Sequence, residues 1–398
     1  MPLAAGRPYL AIPGPSVMPD PVLQAMHMPS PNIYEGEIVD VMASVTTDLK
    51  RVARTQHYVA MYMSNGHGAW EAALANVIRP GDKVLVAATG RFGHGWADMA
   101  AGLGAEVEIV DFGLNTVIDP ARIEDVLRAD KDQRIRTLLF SHVDTSTSIR
   151  NDPALLRTAL DAVGHPALLM ADCIASLACD RFEMDAWGVD IAVTGSQKGL
   201  MVPPGLGFVF FNDKAKAVAA QNPGVSRYWD WAVRAQPEQA YQYFGGTSAT
   251  HHVYGLRRAL DMIHAEGIEA VWHRHARLAE TIWAACEAWG TDGPMALNVA
   301  DRANRSHAVT SLGLGADNGL RLRRWTESEA GLVLGIGLGM APDGDPKGQG
   351  FFRIGHMGHV NAHMIMGLLG VIEAGMSALD IPFGQGGLSA AAQVIAKG

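Results

Sequence analysis

A chain of 398 residues can bury a large core and divide into two or three domains. Its 48% apolar and 18% charged residues exclude a disordered chain, and a formal net charge of −9 excludes partners held by bulk attraction to anions. No basic run is longer than "RLRR" at 321–324, so neither nucleic acid nor a membrane surface is an expected partner.

The chain begins with a proline-rich arm, "MPLAAGRPYLAIPGPS", that has no continuous apolar stretch of the kind a signal peptide needs. The apolar spacing of "PDPVLQAMHM" and "EGEIVDVMASVTTDLKRVAR" then predicts two helices. From residue 58 short apolar runs alternate with amphipathic stretches. The strand candidates are 58–63, 83–88, 106–111, 137–142, 167–172, 191–195 and 207–211; helices are predicted at 68–78 and 153–164. Apolar runs without polar alternation suit strands covered on both faces, as in a parallel sheet wrapped by helices. The fold class is therefore α/β. Residues 247–290 read as almost entirely helical, and beyond them come shorter mixed elements, "HAVTSLGL", "GLVLGIGLG" and "FFRIGHMG", before a helical "NAHMIMGLLGVIEAGMSAL". The expected organisation is an N-terminal arm (1–20), a large domain (21–280) and a small C-terminal domain (281–398).

No apolar stretch reaches the ~20 residues that cross a bilayer. Three cysteines, Cys173, Cys179 and Cys286, lack C-x-x-C spacing and predict neither a disulfide framework nor a structural zinc site. No histidine falls at metal-ligand spacing from a carboxylate or cysteine, so no metal is expected. A cytoplasmic protein is the expectation.

Five stretches carry residues suited to chemistry. "MSNGHGAWEAAL" joins a strand candidate to a helix candidate, and the free N–H groups of such a turn suit a phosphate. Asn65, Gly66 and His67 would form that cradle, although a plain helix N-cap is the commoner reason for these residues. Asp172 ends a buried strand, where open α/β sheets bind ligands; a cap for the following helix explains it equally well. Lys198, in "GSQKGLMVPPG", follows the next strand candidate. It has two chemical uses, as a phosphate counter-ion or as an amine nucleophile, beside the plainer reading of a solvated turn lysine. In "SHVDTSTSIRND", Ser146 or Thr147 can bond a ligand oxygen or cap a helix. Arg353 lies among Phe, Ile and Met, a setting suited to bidentate capture of a carboxylate.

Together these segments resemble a known family. The order of "SNGHG", "GRFGHGW", "DTST", the Asp172 strand, "GSQKG" with "PPG", and "FRIGHMG" is similar to that of fold-type I pyridoxal-phosphate enzymes of the class V aminotransferase group. Within it the closest likeness is to serine–glyoxylate and alanine–glyoxylate aminotransferases. The likeness runs from residue 13 to about 375.

The resemblance implies an aspartate-aminotransferase-like fold, with a mostly parallel seven-stranded sheet in the large domain and a smaller α+β domain. It implies pyridoxal 5'-phosphate as cofactor and ping-pong transamination from a small amino acid (serine, alanine or aspartate) to glyoxylate or pyruvate. Lys198 would hold the cofactor as a Schiff base and move the proton; Asp172 would pair with the pyridine nitrogen. Phe92 would stack on the ring, Ser146 would lie near its hydroxyl, and Asn65, Gly66, His67 and Gln197 would serve the phosphate. Arg353 would grip the substrate carboxylate. A homodimer with shared sites is implied, Thr247 reaching the neighbouring subunit's phosphate and Tyr34 bordering the substrate.

Two segments depart from the family pattern. "FGGTSAT" puts Phe244, Gly245 and Gly246 where bulkier residues with a tyrosine are usual, which leaves Tyr243 to compensate. "SPNIYEGE" brings Tyr34 and Glu35 to a position usually smaller or differently charged. The alternative is a relative of pyridoxamine–pyruvate aminotransferase, which would lack a good phosphate cradle. A cysteine desulfurase needs a mobile cysteine, whereas Cys286 sits in a helical stretch. A protein without catalysis would be expected to lose Lys198, Asp172 or Arg353.

Overall fold

In the computed structural model, which describes residues 3–398, the apolar runs between 58 and 211 become one sheet. In chain order the strands of the first half are β1 (Tyr9–Ala11), β2 (Tyr58–Ser64), β3 (Lys83–Ala88), β4 (Glu106–Asp111), β5 (Ile135–Ser141), β6 (Val143–Asp144), β7 (Ile149–Arg150), β8 (Leu168–Asp172), β9 (Ile191–Gly195) and β10 (Gly205–Phe211). The large sheet has the order β2-β10-β9-β8-β5-β3-β4, parallel except for β10, which is antiparallel to both neighbours. The absence of polar alternation has a direct cause. Leu85, Leu138 and Leu169 face one buried core, while the next residues, Val86, Leu139 and Met170, face a second core on the opposite side. Helix Glu37–Ala53 covers the first face with Ile38, Met42, Val45, Leu49 and Val52 at helical spacing, and Trp70 and Trp96 help cover the second.

The second half adds β11 (Ala296–Leu297), β12 (Val309–Gly313), β13 (Leu332–Ile336) and β14 (Phe351–Gly355). With β1 they form a five-stranded sheet in the order β1-β13-β14-β12-β11, in which β1 runs parallel to β13 and the other pairs are antiparallel. The arm therefore contributes a strand to the C-terminal sheet. The region read as one helical stretch from 247 to 290 is two helices, Thr250–Glu266 and Ile268–Trp289, divided at Gly267. The second helix serves two cores: Ile268, Val271 and Trp272 join the first, Leu278, Ile282 and Trp289 the core of the C-terminal sheet. Among the described residues no helix is long and apolar enough to cross a membrane.

A small apolar seam joins the two parts, with Val143, Ala175 and Cys179 against Ala308, Val309 and Met357. Buried Asp180 closes it by accepting from Ser306 Oγ at 3.0 Å and from the His307 amide at 2.9 Å.

Candidate active site

The ends of β8 and β9 build one wall. Asp172, the last residue of β8, is in register with Ser141 of β5 and Val193 of β9. Its carboxylate accepts from the Ile174 amide at 2.8 Å and is buried. After β9 the chain turns back through "SQKGLMVPP" to β10, and Ser196 pins the turn: its hydroxyl donates to Pro203 O at 2.7 Å and accepts from the Leu206 amide at 3.2 Å. Gly199 lets this turn pack tightly, because a methyl group there would stand 2.2 Å from Leu177 O.

The turn delivers Lys198 into the crevice. The arm meets it there: Lys198 Nζ donates to Pro13 O, and Ser16 binds the lysine's own carbonyl through its hydroxyl at 2.8 Å. Burial, aided by the Arg353 charge, lowers the Lys198 ammonium pKa to about 8 against the pull of Asp172. Burial does the reverse to Asp172, raising it to about 7. The nearby Asp144 adds to that rise, while the Ile174 amide, Lys198 and the indole of Trp70 oppose it. An amine and a carboxyl that both titrate near neutrality and feel each other are suited to proton movement.

A helix opening forms the floor. Asn65 caps helix Gly66–Val77 by accepting from the Gly68 amide at 3.2 Å, so the plain capping role holds for its side chain. The Gly66 and His67 amides, in the first turn, have no acceptor among the described residues. Opposite them Gln197 Oε1 is buried without a partner. Gly195 keeps the space between open, since a methyl group there would stand 3.0 Å from Gln197 Oε1 and 3.5 Å from Gly66 N. His67 leans on Trp70 with ring centroids 4.7 Å apart, and Phe92 meets Trp70 edge-on at 6.2 Å.

The hairpin β6–β7 supplies the side. Asp144 is fully buried and receives the amides of Phe92 at 2.9 Å and Gly93 at 3.3 Å, as well as the amide and hydroxyl of Ser146. It thereby caps helix Arg91–Gly102 from another segment and fixes Phe92 and Ser146 together. Burial pushes its carboxyl pKa up. The C-terminal sheet closes the crevice with Arg353 in the middle of β14. The guanidinium is buried; Nε donates to Ile336 O at 2.7 Å and Nη1 to Thr145 O at 2.8 Å. Burial lowers its pKa to about 10, against the pull of the Asp144 charge. A buried guanidinium bonded only to carbonyls has charge left for an anion.

Tyr34, expected to border the substrate, and Thr247, expected at the neighbouring subunit's phosphate, both lie at the surface of this chain. Tyr34 is 70% exposed and packs edge-on against Tyr241. Thr247 is exposed, and no hydrogen bond joins it to the Lys198 crevice. The departure at "FGG" has a packing reason: Phe244 is buried in the first core, and a methyl group at Gly245 would stand 2.6 Å from Arg234 Nη2. Three residues that sequence reasoning passed over belong here, Ser16, Trp70 and Asp144. Only Asp144 gave a signal, as an acid inside a run of hydroxyls.

Residues 9–315 match the model of a protein family described as aminotransferase class-V. The chain belongs to the class-V aminotransferases. It is similar to a serine–glyoxylate aminotransferase of Methylorubrum extorquens, 35% identical over 94% of this chain and 92% of that one. It is similar in the same degree to an L-aspartate–glyoxylate aminotransferase of Paracoccus denitrificans, 35% identical over 96% and 94%. Among solved structures, pyridoxamine–pyruvate aminotransferase of Mesorhizobium loti superposes with a TM-score of 0.88 at 25% identity, covering 98% of both chains. The protein is thus a pyridoxal-phosphate-dependent aminotransferase of the aspartate-aminotransferase-like fold. The crevice fits that cofactor: the two free amides suit the phosphate end, and a buried acid stands ready for a ring nitrogen.

Proposed function

We propose that this aminotransferase moves the amino group of a small L-amino acid (serine or alanine, with aspartate as the acidic member of the set) to glyoxylate or pyruvate. Bound pyridoxal phosphate supplies an electron-withdrawing ring that stabilises negative charge at the substrate α-carbon. The observation that carries the reading is that Asp172 at the end of β8, Lys198 in the turn after β9 and Arg353 on β14 meet in one crevice.

In this reading Lys198 is the nucleophilic amine and then the base that moves the α-proton. A pKa of about 8 leaves a share of it neutral at physiological pH. Asp172, as a carboxylate, would hold a proton on the ring nitrogen. The Gly66 and His67 amides, with Gln197, take the phosphate; Phe92 covers a ring face and Ser146 sits by the ring hydroxyl. Arg353 grips the substrate carboxylate and so orients the α-hydrogen. Tyr34 and Thr247 act on the neighbouring subunit's site in a homodimer, which agrees with their exposure in a single chain.

A second reading draws on the similarity to pyridoxamine–pyruvate aminotransferase. The free amides of Gly66 and His67 favour a phosphorylated cofactor and count against it. The test is to titrate the cofactor-loaded protein with single donors and follow its visible band. L-serine or L-alanine should bleach the band and glyoxylate should restore it. Transfer from free pyridoxamine to pyruvate, with no bleaching by any amino acid, would establish the second reading instead.

A further inference from the structure

A second cation stands beside the crevice, and no step described above uses its side chain. Arg91 opens helix Arg91–Gly102, and its amide donates to Ser146 Oγ at 3.1 Å; the next residue is Phe92. The segment that leaves β13 ties this arginine to Arg353. Ile336 O accepts from Arg353 Nε, and three residues on, Gly339 lies against both Arg91 and Ser146. A methyl group at Gly339 would stand 2.7 Å from Arg91 Cβ and 3.4 Å from Ser146 Cβ. Four residues further, Asp343 sets its Oδ1 3.2 Å from Arg91 Nη1. One short loop therefore connects the two guanidiniums and brings a carboxylate to the outer one.

The two arginines differ in what they can do. Arg353 is buried on backbone carbonyls, whereas the Arg91 side chain is 46% exposed and that of Asp343 84%. An ion pair so exposed is weak and easily exchanged. Asp144, the other acid nearby, already receives the Phe92, Gly93 and Ser146 donors and is not paired with the Arg91 guanidinium. Asp343 thus offers Arg91 what a ligand carboxylate would.

We propose that Arg91 binds the distal carboxylate of a dicarboxylic amino donor, in exchange for Asp343, and so sets the donor preference of the enzyme. This rests on the reading of Arg353 as the α-carboxylate site. The donor then lies with one carboxylate at each end of the 336–343 loop. Asp343 competes with the donor, which makes it a brake on dicarboxylic substrates alone.

The test uses cofactor-loaded enzyme with glyoxylate as acceptor and L-aspartate, L-glutamate, L-serine and L-alanine as donors. Arg91→Gln should lower kcat/KM for the better dicarboxylic donor by about tenfold more than for alanine, the worth of one charge-assisted hydrogen bond. Asp343→Asn should raise kcat/KM for that donor and leave the alanine value nearly unchanged. A competition series with unreactive succinate and propionate, read on the cofactor band, reports binding without turnover. Succinate should bind more weakly to Arg91→Gln, with propionate less affected. Equal losses for all four donors and both acids in Arg91→Gln would overturn the proposal. If no amino acid turns over while succinate still discriminates the variants, the donor reading fails and the Arg91 site stands.

Discussion

The two walls of the crevice reach the same end by opposite routes. The large-sheet wall takes Asp172 from the end of β8 and Lys198 from the turn that follows β9, so the β8–β9 ladder and the Ser196-pinned turn together set their separation. The opposite wall takes Arg353 from the middle of an antiparallel strand, and its guanidinium is aimed by carbonyls from two other segments, Ile336 and Thr145. The first wall is fixed by backbone pairing within one sheet. The second depends on how the two parts of the molecule sit against each other. In the proposed reading chemistry falls to the first wall and recognition to the second, where small shifts change fit before they change reactivity.

Breaking the first wall should have the largest effect. Lys198→Ala should lower kcat by at least about 10²–10⁴-fold, the range for a positioned acid–base group, and should abolish borohydride trapping of the cofactor. Trapping that survives in this variant would mean another amine holds the cofactor. Breaking the second wall should spare the bound chromophore. Arg353→Lys swaps a fork for a point charge, and the loss of about 2–3 kcal/mol should appear as a raised donor KM with the cofactor spectrum intact. A change in kcat alone would place Arg353 in a different role.

The titration of the first wall sharpens the contrast. The folded pKa of Asp172, about 7, lies above the ~3.9 of an unfolded aspartate. Between those values the folded chain keeps a proton that the unfolded chain has lost, so stability falls as pH rises from 4 to 7. For Lys198 the folded value of about 8 lies below the ~10.4 of an unfolded lysine, so stability rises again between them. In cofactor-free protein, urea midpoints at pH 5 and pH 7 should converge in Asp172→Asn relative to wild type. The same loss with pH in both proteins would assign the titration to other groups.

The smallest expected effect is on the arm that closes over the first wall. Ser16→Ala removes the hydroxyl bond to the Lys198 carbonyl and should cost about 1 kcal/mol in urea unfolding. No change would show that the amide of Ser16, bonded to Gln197 O, suffices to hold the arm.

The same contrast explains what the sequence revealed. Strand limits match within two residues, because strands buried on both faces leave an unbroken apolar signal: 83–88, 106–111 and 191–195 were readable as they stand. Asp172 and Lys198 could be read into one crevice because each lies at or just after the end of a buried strand. Helix Arg91–Gly102 was not, since Gly93 and Gly95 weaken its propensity and its cap comes from Asp144, fifty residues on. Helix Pro120–Ala129 did announce itself, with Asp119 as N-cap and proline at the first turn, and was passed over. Ser16 carried no local sign, because its partner is 182 residues away. Tyr34 and Thr247 were named from the family pattern, and one chain alone does not bring them to the crevice.

Helix Ile268–Trp289 has a consequence for anyone who would take the molecule apart. One unbroken rod supplies Trp272 to one core and Leu278 to the other, with less than two turns between them. Cutting the gene at this rod would leave each fragment with a raw apolar edge where the other half of the helix had been. Separately expressed halves should therefore precipitate or recombine, and neither should melt as an independent unit.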